Sequence, residues 1–190
     1  ATLFDCGFFV ETPDLPAFLI LQMQTLSRIA KELEKKEDTS CCWTKEAEHW
    51  EKEANELLER FYEHSWNGER FVAKMSGSHT CDGNSTCLLA LMPLVLGELL
   101  DKEKREKLKT ILEKDFLTAN GLATEMPSSK EYESDGYWRG PIWAPTTYLL
   151  IDGLRRGGYA SLAEQIAAKY CHMSCKIAKG NYENFDALTG

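Results

Sequence analysis

Residues 137–159 read YWRGPIWAPTTYLLIDGLRRGGY, and the stretch has two unlike halves. From Tyr137 to Trp143 it crowds three aromatic rings around an arginine, a glycine and a proline. That half is too broken for a helix and too apolar for a solvated loop. From Trp143 onward the pattern is helical. Pro145 falls in the first turn, where its missing N–H costs nothing. The run ends near Arg156, and Gly157-Gly158 supplies the stop. An irregular aromatic wall is thus joined directly to the mouth of an apolar helix.

Working upstream, Thr118 to Pro145 has no helical period and is the longest irregular segment. Loops of that length inside a domain are usually functional or disordered, and its aromatics argue for order. Asp101 reads as the cap of a helix running to about Glu113, and Ser85 to Leu100 as a buried apolar helix. A Gly/Ser/Asp/Asn loop surrounds His79–Asn84, and Trp66 to Ala73 reads as a turn with a short extended piece. Lys45 to His64 carries apolar residues on one face and Glu and Lys on the other, which predicts an amphipathic helix. Leu15, Phe18, Leu19, Gln22, Leu26, Ile29, Ala30 and Leu33 form a helical stripe with Asp14 as its N-cap. Downstream, Ser161 and Glu164 form a capping box opening a last helix to about Lys179. About six helices and almost no strand follow, so the fold class is all-α. Very apolar helices alternate with amphipathic ones. That suits a double ring of helix pairs, and equally an α-solenoid or an irregular bundle.

The 190 residues are enough for one α-helical domain with a real core. The net charge of −8 argues against nucleic acid or an anionic membrane as partner. No apolar run approaches the ~20 residues of a membrane span. No basic region followed by a long apolar stretch opens the chain, so no signal peptide is read there and the cytoplasm is the expected compartment. The seven cysteines, an odd number, are expected to be free thiols. Cys171 and Cys175, with His172 between them, are spaced as two metal ligands on one helix face, but no second pair is suitably spaced. No metal and no cofactor are expected: a P-loop, a dinucleotide fingerprint, a zinc-protease helix and a nucleophile elbow are all missing.

A carbohydrate suits the remaining pattern. Sugar rings present C–H faces that stack on aromatic rings, and their hydroxyls need directional partners such as Arg, Asn and carboxylates. Trp138, Arg139, Trp143, Tyr182, Glu183 and Asn184 form such a set. A glycosidase needs two carboxyl groups, and Glu183 is a good candidate for one.

The segments "FLTANGLAT" (116–124), "YWRGPIWAPTTYLLIDGLRRGGY" and "NYENFDALTG" (181–190) resemble the C-terminal part of glycoside hydrolase family 63 catalytic domains. So does "ETPDLPAFLILQMQTLSRIAKEL" (11–33). The family includes processing α-glucosidases and mannosylglycerate hydrolases; trehalases and glucoamylase-like enzymes share its barrel more distantly. The resemblance implies an (α/α)6 barrel and an inverting α-glycosidase mechanism. It implies Glu183 as the general base and Trp138, Arg139, Gly140, Trp143, Tyr182 and Asn184 as substrate-cleft positions. It places Asp5 as a second aspartate of the acid-bearing region, with the general acid itself upstream of residue 1. The chain is then expected to be a fragment of a larger catalytic domain, inactive by itself, with exposed apolar helix faces able to self-associate. The rival readings are a non-catalytic carbohydrate-binding domain and an α-helical interaction scaffold. The lack of a fixed internal repeat weighs against the scaffold.

Overall fold

A computed structural model describes residues 10–36, 42–75, 81–83, 86–176 and 182–190. Asp5, Cys6, Cys41, His79, Asn84 and Asn181 lie outside these described residues, as does the expected helix end near Lys179.

The chain is all-α, with a few short strands. Strand β1 (Val10–Glu11) leads into α1 (Asp14–Glu34) and α2 (Trp43–Ser65), which pack along each other. Strands β2 (Ala73–Met75) and β3 (Cys81–Gly83) complete an antiparallel sheet of order β1-β2-β3, with Val10 opposite Met75 and Lys74 opposite Asp82. A tightly wound 3-10 run (Leu88–Leu99) follows, then α3 (Lys102–Ile111), which passes into a π turn (Leu112–Phe116). After the long irregular segment come β4 (Ile142–Trp143), α4 (Ala144–Arg156), α5 (Ala160–Lys176) and β5 (Asn184–Phe185).

The main core lies where α1, α4 and the 3-10 run meet, with Ile20, Leu91, Leu94, Leu96 and Leu150 sealed inside. The expected helix at Ser85–Leu100 is buried as expected, but it winds as a 3-10 helix. Pro93 in its middle has no N–H for an α-helical bond, and Gly97 breaks the run with φ 59°. A Cβ on Gly97 would stand 2.8 Å from Arg156 Cβ, so that residue must be small. The carbonyls left open near the break are taken by two guanidiniums: Arg156 Nη2 donates to Val95 O and Arg105 Nη1 to Gly97 O (3.1 Å). On α4, Gly153 lies so close to the backbone of Leu94 and Val95 that any Cβ would collide with the Leu94 carbonyl.

Helix ends follow the sequence in part. Asp101 is the cap of α3, its Oδ1 accepting from Glu103 N (3.0 Å) and Lys104 N (3.2 Å). Pro145 sits in the first turn of α4. Asp14, in contrast, is the first helical residue of α1; Pro13 occupies the N-cap position and no side chain caps it. Ser161 likewise falls inside the first turn of α5, which starts at Ala160, so it does not open a capping box. The α1 stripe is helical, but its large members Leu15, Leu19 and Ile29 stay exposed, while Ala17, Ile20, Ser27 and Ala30 are buried. Ile20 enters the main core, and Phe18, Leu21 and Met23 pack half-buried against it.

Among the described residues no helix is long and apolar enough to cross a membrane. Cys42, Cys171 and Cys175 are free thiols.

Candidate functional site

The irregular segment is ordered by a chain of short-range bonds. Thr118 Oγ1 accepts from Asn120 N (3.1 Å) and Gly121 N (3.2 Å), closing the first turn. Thr124 and Met126 then run beside 86–88: Leu88 N donates to Thr124 O (2.8 Å) and Met126 N to Thr86 O (2.9 Å). Glu133 and Arg139 close a second loop. Glu133 N donates to Arg139 O (2.7 Å), and the Arg139 guanidinium holds the Glu133 carboxylate through two bonds of 2.9 and 2.6 Å.

Gly140 and Pro141 are fixed on Thr124. Thr124 Oγ1 donates to Pro141 O (2.8 Å) and accepts from Gly140 N (3.2 Å). Gly140 has φ 152°, and a Cβ there would strike the Glu133 carbonyl, so the loop requires glycine. Tyr137 is itself left-handed (φ 59°), and its carbonyl accepts the Trp143 indole N–H at 2.9 Å. That bond sets the rings. Trp138 stacks on Trp143 with centroids 4.0 Å apart and planes 10° apart, and Tyr137 meets Trp143 edge-on at 4.7 Å. Trp143 is 4% exposed, whereas Trp138 (45%) and Tyr137 (54%) present rings to solvent.

Strand β5 brings the second motif to the first. In the antiparallel β4–β5 pair, Trp143 lies opposite Asn184 and Ile142 opposite Phe185. Glu183 and Tyr182 directly precede this pair; both are exposed, Tyr182 at 51%. Beneath it sits a small second core of Ala123, Ile142, Met173, Phe185 and Ala187, flanked by Tyr132 and Tyr170. Burial pushes the phenols of Tyr132 and Tyr170 above their ordinary value. Asp186 Oδ1 closes the final turn by accepting from Leu188 N (2.8 Å) and Thr189 N (2.6 Å).

Of the residues singled out in the sequence, Trp138, Gly140, Trp143 and Asn184 meet at one place, with Tyr182 and Glu183 beside them. Arg139 is in the same loop, with its guanidinium engaged by Glu133. Asp5 is outside the described residues. Sequence reasoning missed Tyr137 as a third ring of the platform, Thr124 as the clamp of the Gly-Pro turn, and Glu133 as the partner of Arg139. Tyr137 lay next to Trp138 in plain view; the other two carry no local signal. Among the described residues no group of three His, Cys, Asp or Glu could hold a metal ion.

The helix pairs define a class by their fold, the (α/α)6-barrel fold, which solved structures share. The chain superposes on the family 63 mannosylglycerate hydrolase of Thermus thermophilus in complex with glucose with a TM-score of 0.74 at 22% identity. That match covers 95% of this chain and 40% of the other. On the neutral trehalase of Saccharomyces cerevisiae the TM-score is 0.77 at 20% identity, covering 96% and 35%. The family follows from the sequence: the chain belongs to the mannosylglycerate hydrolase MGH1-like glycoside hydrolase domain family, whose model matches residues 1–190. It is 27% identical over 193 residues to the mannosylglycerate hydrolase of Rubrobacter radiotolerans, covering 98% of this chain and 40% of that relative. It is also 30% identical over 108 residues to the periplasmic trehalase of Xanthomonas axonopodis pv. citri, covering 56% and 18%. The chain thus spans less than half the length of these relatives.

Proposed function

We propose that this chain forms the base-bearing wall of an inverting α-glycosidase that acts on a small α-glucoside or a related oligosaccharide. The observation that carries the reading is the β4–β5 pair, which joins the Trp138–Trp143 stack to the Tyr182–Asn184 segment. The exposed ring of Trp138 offers a face for sugar C–H groups, with Tyr137 at its edge. Asn184 and Arg139 supply directional polar groups for hydroxyls. Glu183 acts as general base, taking a proton from water that attacks the anomeric carbon as the glycosidic bond breaks. The acid that protonates the departing oxygen belongs to the segment preceding residue 1, with Asp5 following it in the sequence, and inverting enzymes hold the two carboxyls ~6.5–9.5 Å apart to admit the water. The relatives named as mannosylglycerate hydrolases and trehalases favour a small α-linked substrate. The net charge of −8 favours a neutral or weakly charged one over nucleic acid. Free thiols support the cytoplasm as compartment. Self-association runs through exposed apolar helix faces, that of α1 first.

The test is Glu183→Gln in the full-length protein. Turnover of small α-glucosides is expected to fall by about 10²–10⁴-fold, with binding of the same sugars retained in calorimetry. Unchanged kcat removes Glu183 from the mechanism. Binding without turnover in the wild-type protein favours a carbohydrate-binding domain.

A further inference from the structure

The loop 127–143 and the segment 182–190 are joined at the platform by the β4–β5 pair, and their charges do not balance. The carboxylates of Glu131, Glu133, Asp135, Glu183 and Asp186 are matched by only two cations, Lys130 and Arg139, which leaves a net charge of −3. Lys130 stands 3.8 Å from Glu131. Arg139 directly follows Trp138 and is the cation that belongs to the platform loop itself.

Glu133 takes up that cation. Its carboxylate accepts from both terminal nitrogens of the Arg139 guanidinium, at 2.9 and 2.6 Å. Exposed ion pairs usually contribute little, because two long side chains must be ordered in water, and both partners here are 55% exposed. This pair, however, is closed by its backbone. Glu133 N donates to Arg139 O (2.7 Å), Gly136 N to Glu133 O (3.0 Å) and Arg139 N to Gly136 O (3.0 Å). The loop therefore brings the two side chains together before they pair, and the fork supplies two charge-assisted bonds. An arginine left open in such a loop would grip a carboxylate from outside in the same two-pronged way. Glu133 fills that position from within the chain.

We propose that Glu133 is a positioning residue that sets specificity: by occupying Arg139 it turns the platform away from sugars that carry a carboxylate and leaves it to neutral ones. The inference rests on the carbohydrate reading given above and narrows its substrate class. With Arg139 engaged, Asp135 and Glu183 dominate the local field. An anionic ring brought onto Trp138 meets like charge, which costs affinity. A neutral ring brings only hydroxyls, and the remaining N–H groups of Arg139 still serve these as donors.

Two ligands that differ only at C6 test this: methyl α-D-glucopyranoside and its carboxylate counterpart, methyl α-D-glucopyranosiduronate. Each is titrated into the full-length protein, with the indole N–H signals of Trp138 and Trp143 as the NMR reading. The wild type is expected to bind the neutral ring about tenfold or more tightly than the uronide, and the ratio is expected to shrink in about 0.5 M salt. Glu133→Gln releases the guanidinium, so the ratio is expected to fall by about tenfold. In the double variant Glu133→Gln, Arg139→Gln both charges leave together, and the ratio is expected to return toward the wild-type value. An unchanged ratio in Glu133→Gln, or a wild type that binds the uronide as well as the neutral ring, overturns the assignment and leaves the carbohydrate reading standing. A double variant that keeps the low ratio of the single one shows that the effect does not run through Arg139, and overturns it too. If Glu133→Gln loses both ligands alike, the pair serves only the shape of the loop and the assignment falls. A wild type in which neither ligand moves the indole signals counts against the carbohydrate reading and the assignment together.

Discussion

Gly140 carries more of the candidate site than its size implies. It turns the chain between Arg139 and Pro141 at φ 152°, and the Glu133 carbonyl occupies the space where a side chain would start. Gly140→Ala is expected to cost about 1–3 kcal/mol, read as a lower urea midpoint, and to weaken the near-ultraviolet circular dichroism of the indole pair. Gly68→Ala is the control for backbone strain alone, since Gly68 has φ 102° and an added methyl there would meet nothing within 4 Å. A midpoint loss no larger at 140 than at 68 would show that the Glu133 contact is unimportant. The glycine, the prolines and the aromatic rings were legible in the sequence because their conformational limits are local. Thr124 and Glu133 were not, because each acts through a partner that only the folded loop brings near: Pro141 lies 17 residues from Thr124, and Arg139 six residues from Glu133.

Elements are legible where one residue ends or starts them and illegible where burial is uniform. Asp101 announces α3, and the backbone N–H of Lys104 holds its carboxyl below the ordinary aspartate value, with the Lys104 charge acting in the same direction. A depressed folded-state value means that this contact stabilises the chain above the unfolded aspartate value, near 3.9. The contribution fades as the pH falls through the lower folded value. Asp101→Asn keeps an acceptor for the same N–H groups but does not titrate. Its urea midpoint is expected to decline less steeply than the wild type between about pH 4.5 and 2.5; parallel curves would mean the cap has no role in acid sensitivity. The 3-10 run shows the opposite case. Nearly every side chain from Leu88 to Gly97 is buried, so no period distinguishes one helical winding from another. Asp14 misled for a related reason: a good capping residue one position too late has the composition of a cap without its geometry.

Over the whole molecule, about six helical patterns with almost no strand indicated the all-α class, and the resemblance of segments 11–33, 116–124, 137–159 and 181–190 indicated the barrel family. Exposed apolar helix faces were expected, but which stripe would be left uncovered was not readable, because a period reveals a stripe and never says what lies against it. On α1 that stripe is exposed at Leu15 (60%), Leu19 (38%) and Ile29 (50%), and Tyr148 on α4 is exposed at 71%. Exposed apolar side chains of this kind favour association. The triple variant Leu15→Glu, Leu19→Lys, Ile29→Glu of the 190-residue chain is expected to sediment as a monomer where the unaltered chain forms larger species. Identical sedimentation of the two would remove α1 as the contact.

The stacked indoles have an entropic consequence. Trp138 lies flat on Trp143, which is itself tethered to the Tyr137 carbonyl. Its rotamer freedom is therefore lost when the chain folds, not when a ligand arrives. Immobilising a side chain at a binding surface ordinarily costs about 0.5–1.5 kcal/mol. A ligand ring settling on Trp138 would avoid most of that loss, because the surface does not have to rearrange to receive it.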